Sequence, residues 1–180
     1  MRIIAGSHKG RRLNIPKNLP VRPTTDRARE GLFSILNHQY DFTECSILDL
    51  YAGTGSISYE FCSRGANQVT AVDKHGSCVR FINQTAKELA LSVEAHRSES
   101  IRFLESCHGP YDIIFADPPY AEAMDELKNL ISIISSRKLL TSEGVFIMEH
   151  GETMDFSKEP YFVEQRKYGS CVFAFFNTKS

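Results

Sequence analysis

Residues 117–120, Asp-Pro-Pro-Tyr, bring together a carboxylate, a stiff carbonyl-bearing turn and an aromatic ring. They follow Tyr111-Asp112-Ile113-Ile114-Phe115-Ala116, a short apolar run of the kind that forms a buried parallel strand. Two prolines cannot extend a ladder or enter a helix interior, so the chain turns there. In open α/β sheets ligands bind at the C-terminal ends of strands. Acceptors at Asp117 and Pro118, beside Pro119 and the Tyr120 ring, suit a planar group carrying an exocyclic NH2, such as a nucleobase. The plainer alternative is a loop with an exposed Asp.

A second motif narrows the chemistry. Ser46-Ile47-Leu48-Asp49-Leu50-Tyr51 is another apolar run, and Ala52-Gly53-Thr54-Gly55-Ser56 follows it. Strand, glycine turn and helix in that order let the backbone pass close under a ligand. The G-x-G-x-x-G fingerprint is half met, because Ser58 stands where its third glycine would be. Asp49, just before the loop, is a poor neighbour for a pyrophosphate. It suits a ligand with an ammonium or sulfonium group, and S-adenosylmethionine carries both. A second strand, 68–73, ends in Asp73, which lies 18 residues past Gly55. That is close to the spacing at which an acid accepts from ribose hydroxyls. A dinucleotide site is the alternative, and Asp49 and Ser58 argue against it.

The elements that must position these residues come from one chain of 180 residues, enough for one domain with a short appendage. Apolar content of 42% and charged content of 24% are ordinary for a soluble globular protein. Cys45, Cys62, Cys78, Cys107 and Cys171 are widely spaced without a C-x-x-C pair. They read as reduced, mostly buried thiols of a cytoplasmic protein, not as disulfides or a zinc site. No run of 18 apolar residues suggests a membrane span, and no signal peptide is expected.

The net charge of −1 hides an asymmetry. Residues 1–30 carry Arg2, Lys9, Arg11, Arg12, Lys17, Arg22, Arg27 and Arg29 against only Asp26 and Glu30. The rest of the chain is acidic. A basic arm on an acidic domain suits a nucleic-acid partner, with phosphate contacts supplied by the arm. A solvated basic hairpin without a partner is the alternative.

Segments 2–5 and 11–15 form a small hairpin in this reading, and Pro16, Pro20 and Pro23 mark an extended connector. Thr24 or Thr25 caps a helix to about residue 37, with Asp26 in its first turn. Its apolar face holds Ala28, Leu32, Phe33, Ile35 and Leu36, with Arg22, Arg27 and Arg29 near its start and facing away from the core. Further strands are expected at 93–97 and 144–149, and helices at 56–64, 76–90, 100–106 and 122–136. A closing antiparallel pair is expected at 161–168 and 171–177. Alternation of strand and helix implies a mostly parallel sheet covered on both faces. A boundary near residue 40 divides an N-terminal extension, 1–40, from a catalytic domain, 41–180.

Asp49-x-x-x-Gly53-x-Gly55, then Asp73, then Asp117-Pro118-Pro119-Tyr120 resembles a class I S-adenosylmethionine-dependent methyltransferase acting on an exocyclic amine. Arg2-Ile3-Ile4-x-Gly6, Gly10-Arg11, Arg22-Pro23-Thr24-Thr25-Asp26-Arg27-x-Arg29-Glu30-x-Leu32-Phe33 and Tyr168-Gly169-Ser170 resemble the RsmD family over nearly the whole chain. The resemblance implies a Rossmann-like α/β fold: a seven-stranded, mostly parallel sheet with a C-terminal antiparallel hairpin and a small N-terminal extension. It implies methylation of guanine N2 in 16S ribosomal RNA within a partly or fully assembled small subunit. S-adenosylmethionine is the implied donor and S-adenosylhomocysteine the product, without a metal. It places the cofactor at Asp49, Tyr51, Ala52, Gly53, Gly55, Asp73 and Lys74. Relatives often carry Asp or Asn after the third strand to meet the adenine amine; here Ser98-Glu99 stands in that region. RNA contacts fall to Arg2, Lys9, Arg11, Arg12, Arg22, Arg27 and Arg29, and a monomer is expected.

The histidines share no metal spacing and read as ordinary surface or core residues. Glu149 and His150 end a strand on the ligand side, where they could touch substrate or simply be loop polar residues. Phe173, Phe175 and Phe176 read as core. Two rival functions share these motifs: a DNA adenine-N6 methyltransferase and a non-catalytic RNA-binding assembly factor on the same fold. The first usually needs a further recognition region, and intact Asp117, Gly53 and Gly55 speak against the second.

Overall fold

The structure, a computed structural model, describes residues 1–17, 19–21, 24–119 and 122–177. Its helices are α1 (Asp26–Gln39), α2 (Ser56–Ser63), α3 (Gly76–Glu88), α4 (Ser100–Ser106) and α5 (Met124–Ser136). Its strands are β1 (Ser46–Leu50), β2 (Gln68–Asp73), β3 (Val93–Arg97), β4 (Tyr111–Ala116), β5 (Leu140–Gly151), β6 (Phe162–Tyr168) and β7 (Cys171–Asn177). A 3-10 turn, Phe42–Glu44, follows α1.

The strands form one sheet in the order β3-β2-β1-β4-β5-β7-β6. β3, β2, β1, β4 and β5 pair in parallel, whereas β7 is antiparallel to both β5 and β6. This is the Rossmann-like, mostly parallel sheet with a closing hairpin that the motif order implies. The chain winds outward from β1 to β3 and then restarts beside β1 at β4. The C-terminal ends of β1 and β4 therefore flank the point where strand order reverses, which is where open α/β sheets bind ligands.

Alternation along each buried strand decides what covers the sheet. Ile47, Ile113, Phe115, Val145 and Ile147 face α1 and α2. Leu48, Leu50, Ile114, Ala116, Phe146 and Met148 face α4 and α5. α3 joins the first layer through Ile82, packed with Ala71 and Tyr59. Edge-to-face contacts lock Phe33 of α1 to Phe42 and Phe61, with ring centroids 6.0 and 4.6 Å apart. Burial of these strips on both faces is the main stabilising term. The apolar face of α1 lies in the same cluster as the sheet, so the helix is fixed relative to the strand ends.

The arm departs from the expected hairpin. Only an isolated antiparallel bridge joins Arg2 and Arg12, although Ile3 N–H donates to the Arg11 carbonyl and Gly10 N–H to that of Ile3. The rest is tethered to α2. Buried Glu60 accepts from the Ile4 and Ala5 N–H groups at 2.9 and 3.0 Å, and from Arg64 Nε at 2.9 Å.

Arg29 corrects the expectation that it faces away from the core as an RNA contact. It is 1% exposed. Its Nη2 donates to Asp26 Oδ1 at 2.6 Å and to the Arg2 carbonyl at 2.8 Å, and Nη1 lies 4.0 Å from Glu60. Helical spacing explains this, because 29, 32, 33 and 36 share one face. Strand β5 also extends beyond 144–149, since Gly144 lets the chain pass close to the Tyr111 carbonyl.

Candidate active site

The first turn after β1 holds three left-handed residues: Tyr51 (φ 57), Gly53 (φ 55) and Gly55 (φ 77). A non-glycine residue in that region is strained, and such strain gathers at ligand-binding turns. A Cβ on Gly55 would lie 2.7 Å from the Tyr59 ring, so glycine is required there for packing as well as for its backbone.

Asp49 is 1% exposed. Its Oδ2 accepts from the Ser58 hydroxyl at 2.5 Å and the Ser58 N–H at 3.1 Å. Ser58 is the third residue of α2, so Asp49 serves as a remote cap on a helix whose N-terminal residue, Gly55, has no side chain to cap it. The departure from the glycine fingerprint thus has a purpose here. Burial pushes the Asp49 carboxyl up to about 7, against the opposing pull of the two Ser58 bonds.

Asp73 ends β2 and ties two loops. Its Oδ2 accepts from Gly53 N–H and its Oδ1 from His75 N–H, each at 2.8 Å. Among the described residues, Asp73, His75 and Cys78 form one group whose ligand-type atoms lie within 4.8 Å of one another, a D-x-H-x-x-C spacing that the sequence alone does not single out.

β4 delivers Asp117 to the same place. Its N–H reaches the Leu50 carbonyl at 3.4 Å, Pro118 is buried and Pro119 is exposed. Thr25 caps α1 by accepting from Ala28 N–H, which leaves Thr24 turned inward. The Thr24 Oγ1 lies 3.4 Å from Asp117 Oδ2 and 3.2 Å from Glu149 Oε2 on β5. Burial first, then the charge of Glu149, pushes the Asp117 carboxyl well above the usual carboxylate range. The Cys171 thiol, also against Glu149, is pushed up mainly by burial.

These groups line one cavity of about 500 Å3. Asp49, Tyr51, Ala52, Gly53, Asp73, Lys74, Glu99, Asp117, Pro118 and Pro119 reach it. Gly55 and Ser98 do not line it: Gly55 is packed under Tyr59, and Ser98 N–H bonds the Asp73 carbonyl. Arg27 stands on its wall, whereas Lys9, Arg11 and Arg12 are exposed on the arm. Arg2 lies between Asp26 and Glu30, at 3.4 and 3.9 Å. Tyr120 and Arg22 lie outside the described residues.

The cavity fits S-adenosylmethionine chemically. Two buried carboxylates, Asp49 near the end of β1 and Asp73 at the end of β2, reach the cavity and could meet a cationic group and hydroxyl donors. The glycine turn keeps side chains out of the way.

The family model described as "Conserved hypothetical protein 95" matches residues 1–177. The chain belongs to this family, as its resemblance to the RsmD proteins implies. The ribosomal RNA small subunit methyltransferase D of Buchnera aphidicola (strain APS) is 33% identical over 150 residues, 82% of this chain and 76% of that one. Among solved structures, a hypothetical protein of Thermus thermophilus superposes with a TM-score of 0.85 at 24% identity, covering 98% of this chain and 99% of that one. A T. thermophilus 16S rRNA N2 methyltransferase, solved with AdoMet and guanosine, gives a TM-score of 0.70 at 20% identity over 87% of this chain and 44% of that one. The fold is that of S-adenosylmethionine-dependent methyltransferases. Among the described residues no helix is long and apolar enough to cross a membrane.

Sequence reasoning misses Thr24 as anything but a possible cap, and Ser58 as anything but a missing glycine. It leaves Glu149 between a substrate contact and a loop residue, yet Glu149 is 4% exposed and faces Asp117. An acid that follows the apolar run Val145-Phe146-Ile147-Met148 inside a strand is the available signal.

Proposed function

We propose that this chain transfers a methyl group from S-adenosylmethionine to the exocyclic N2 amine of a guanine in 16S ribosomal RNA, within a partly or fully assembled small subunit. The observation that carries the reading is Asp117 at the strand-order switch, in one cavity with Asp49 and Asp73. The names of the relatives support RNA as the substrate class. When bound, the cofactor supplies a methyl group already activated by its sulfonium charge, so the reading needs no metal.

The chain's own residues bind and orient. Asp49 faces the cationic end of the cofactor, Asp73 accepts from ribose hydroxyls, and Lys74 and Glu99 complete that wall. The guanine leaves its stack or comes from an unpaired loop. Asp117 and the Pro118 carbonyl then accept the two amine hydrogens, which aims the nitrogen lone pair at the methyl. Tyr120 stacks on the base, contributing ~1–3 kcal/mol. Asp117 need not be a strong base, because the methylated amine is acidic. Lys9, Arg11, Arg12, Arg22 and Arg27 contact phosphates. Residues 1–40 serve as the RNA-binding extension of a monomeric cytoplasmic enzyme.

The test is Asp117→Ala, assayed for cofactor binding and for single-turnover methylation of small subunits lacking the modification. The variant should bind S-adenosylmethionine normally and lose transfer. A near-normal rate would remove Asp117 from this role.

A further inference from the structure

We propose that Asp73, His75 and Cys78 form a site for a thiophilic divalent cation such as Zn2+, and that the bound ion, by occupying Asp73, keeps the cofactor out. The exclusion rests on the reading above that Asp73 accepts from the cofactor's ribose; the ion site itself does not.

The geometry begins with three ligand types on one short segment. Among the described residues, a carboxylate oxygen of Asp73, a ring nitrogen of His75 and the Cys78 sulfur lie within 4.8 Å of one another. Asp73 ends β2, and Cys78 stands in the first turn of α3, where its N–H donates to the His75 carbonyl at 3.0 Å. A spacing of three across the helix start sets His75 and Cys78 side by side. Asp73 is held by two backbone donors, the Gly53 N–H on Oδ2 and the His75 N–H on Oδ1, each at 2.8 Å. A carboxylate oxygen has a second lone pair, so it can still bind an ion. His75 Nδ1 already stands 3.1 Å from Asp73 Oδ1.

The ligand set selects the ion. A thiol and an imidazole favour Zn2+ over Mg2+ or Ca2+, which take oxygen ligands. Tetrahedral Zn2+ holds its ligand atoms about 3.5 Å apart, so closing the set needs movement of about 1 Å. The His75 side chain is 40% exposed and can supply it by rotation. Asp73 and His75 line the cavity, which gives the ion its way in and leaves a fourth position on that side. Cys78 is buried behind them. Asp73 is a buried carboxylate with which, among the described residues, no Lys or Arg pairs. A cation there offsets the cost of that buried charge.

Burial first, then the charge of Asp73, pushes the Cys78 thiol up to about 11, so it is neutral in the ion-free protein. Binding breaks the S–H bond, forms the metal–sulfur bond and releases the proton to solvent, a step the charge of the ion favours. The ion then takes the Asp73 lone pairs that would accept the ribose hydroxyls. Bound ion and bound cofactor are therefore alternatives.

The experiment titrates the purified, reduced protein with Co2+ as a spectroscopic probe and with Zn2+ by calorimetry, and measures S-adenosylmethionine affinity with and without Zn2+. One Co2+ per chain should bind with a thiolate-to-metal charge-transfer band and the visible bands of a tetrahedral ion. Zn2+ should displace it, and Mg2+ should not. Cys78→Ser should abolish the thiolate band and weaken Zn2+ by about tenfold or more, while near-wild-type cofactor affinity shows that the variant folds. His75→Gln should weaken Zn2+ similarly, which decides the matter if Cys78→Ser does not fold. Zn2+ should weaken cofactor binding to the wild type in proportion to its concentration, and far less in either variant. Absence of the thiolate band, or Zn2+ affinity unchanged in the variants, would overturn the site and leave an ion held by other cysteines. Zn2+ that binds with the thiolate band yet leaves cofactor affinity unchanged would overturn the exclusion, and with it the ribose role of Asp73. Failure of the methyltransferase reading shows separately, as ion-free wild-type protein that binds no S-adenosylmethionine.

Discussion

Asp49→Asn should make the protein more stable at neutral and alkaline pH while weakening cofactor binding. The Asp49 carboxyl titrates near 7 in the folded chain, because burial disfavours its charge, against an ordinary 3.8. Its folded pKa is raised, so the stability linked to it is fully present below about pH 4 and is lost as pH rises to about 7. A shift of about 3 units at 1.36 kcal/mol each corresponds to about 4 kcal/mol. Asparagine keeps an oxygen to accept the Ser58 hydroxyl and N–H. It never ionises, so it avoids that loss. The gain over wild type should be on the order of 4 kcal/mol at pH 8 and below about 2 kcal/mol at pH 5. At ~2–4 °C per kcal/mol for a chain of this size, Tm at pH 8 should rise on the order of 10 °C. Calorimetric titration should show the opposite for the cofactor. Wild-type affinity should increase with pH up to about 7, as Asp49 ionises beside a cationic ligand, and the variant should be weaker and lose that dependence. A stability gap that does not change with pH, or a variant less stable than wild type at pH 8, would refute the reasoning.

Gly55→Ala should lower stability by at least ~1 kcal/mol in denaturant titration, because φ is +77 and a Cβ would meet the Tyr59 ring at 2.7 Å. It should weaken cofactor binding through the displaced turn. Arg29→Met should cost about 3–5 kcal/mol by chemical denaturation, since it strips a buried ion-pair network around Asp26 and Glu60. Arg11→Ala with Arg12→Ala should leave stability near wild type and reduce the salt slope of RNA binding by about 2.

The strand-ending acids are legible because, in an alternating α/β chain, a short apolar run that stops at a carboxylate marks a buried strand reaching a ligand-side loop. Asp73 and Asp117 carry this signal, whereas Asp49 is marked by standing inside an apolar run just before the glycine turn, and the sheet order that gathers them in one cavity follows from the same alternation. Arg29 is easy to misplace because its charge suggests solvent while its position lies on the apolar face of α1. Its partners come from Asp26 and from the distant Glu60, which composition alone does not pair with it. Thr24 and Glu149 are 125 residues apart, and their contact exists only once β5 lies beside β4 and α1 is capped one residue later. The arm suggests a hairpin in sequence because glycines flank its turn. Its anchoring to Glu60 instead of a strand partner depends on α2 being buried on every side.

The most direct test incubates the purified protein and labelled S-adenosylmethionine with small ribosomal subunits from cells lacking this gene, and identifies the methylated nucleoside by chromatography and mass. The proposed function predicts N2-methylguanosine in 16S RNA. N6-methyladenosine would contradict the base assignment, and unlabelled RNA from a protein that binds the cofactor would contradict catalysis on this substrate.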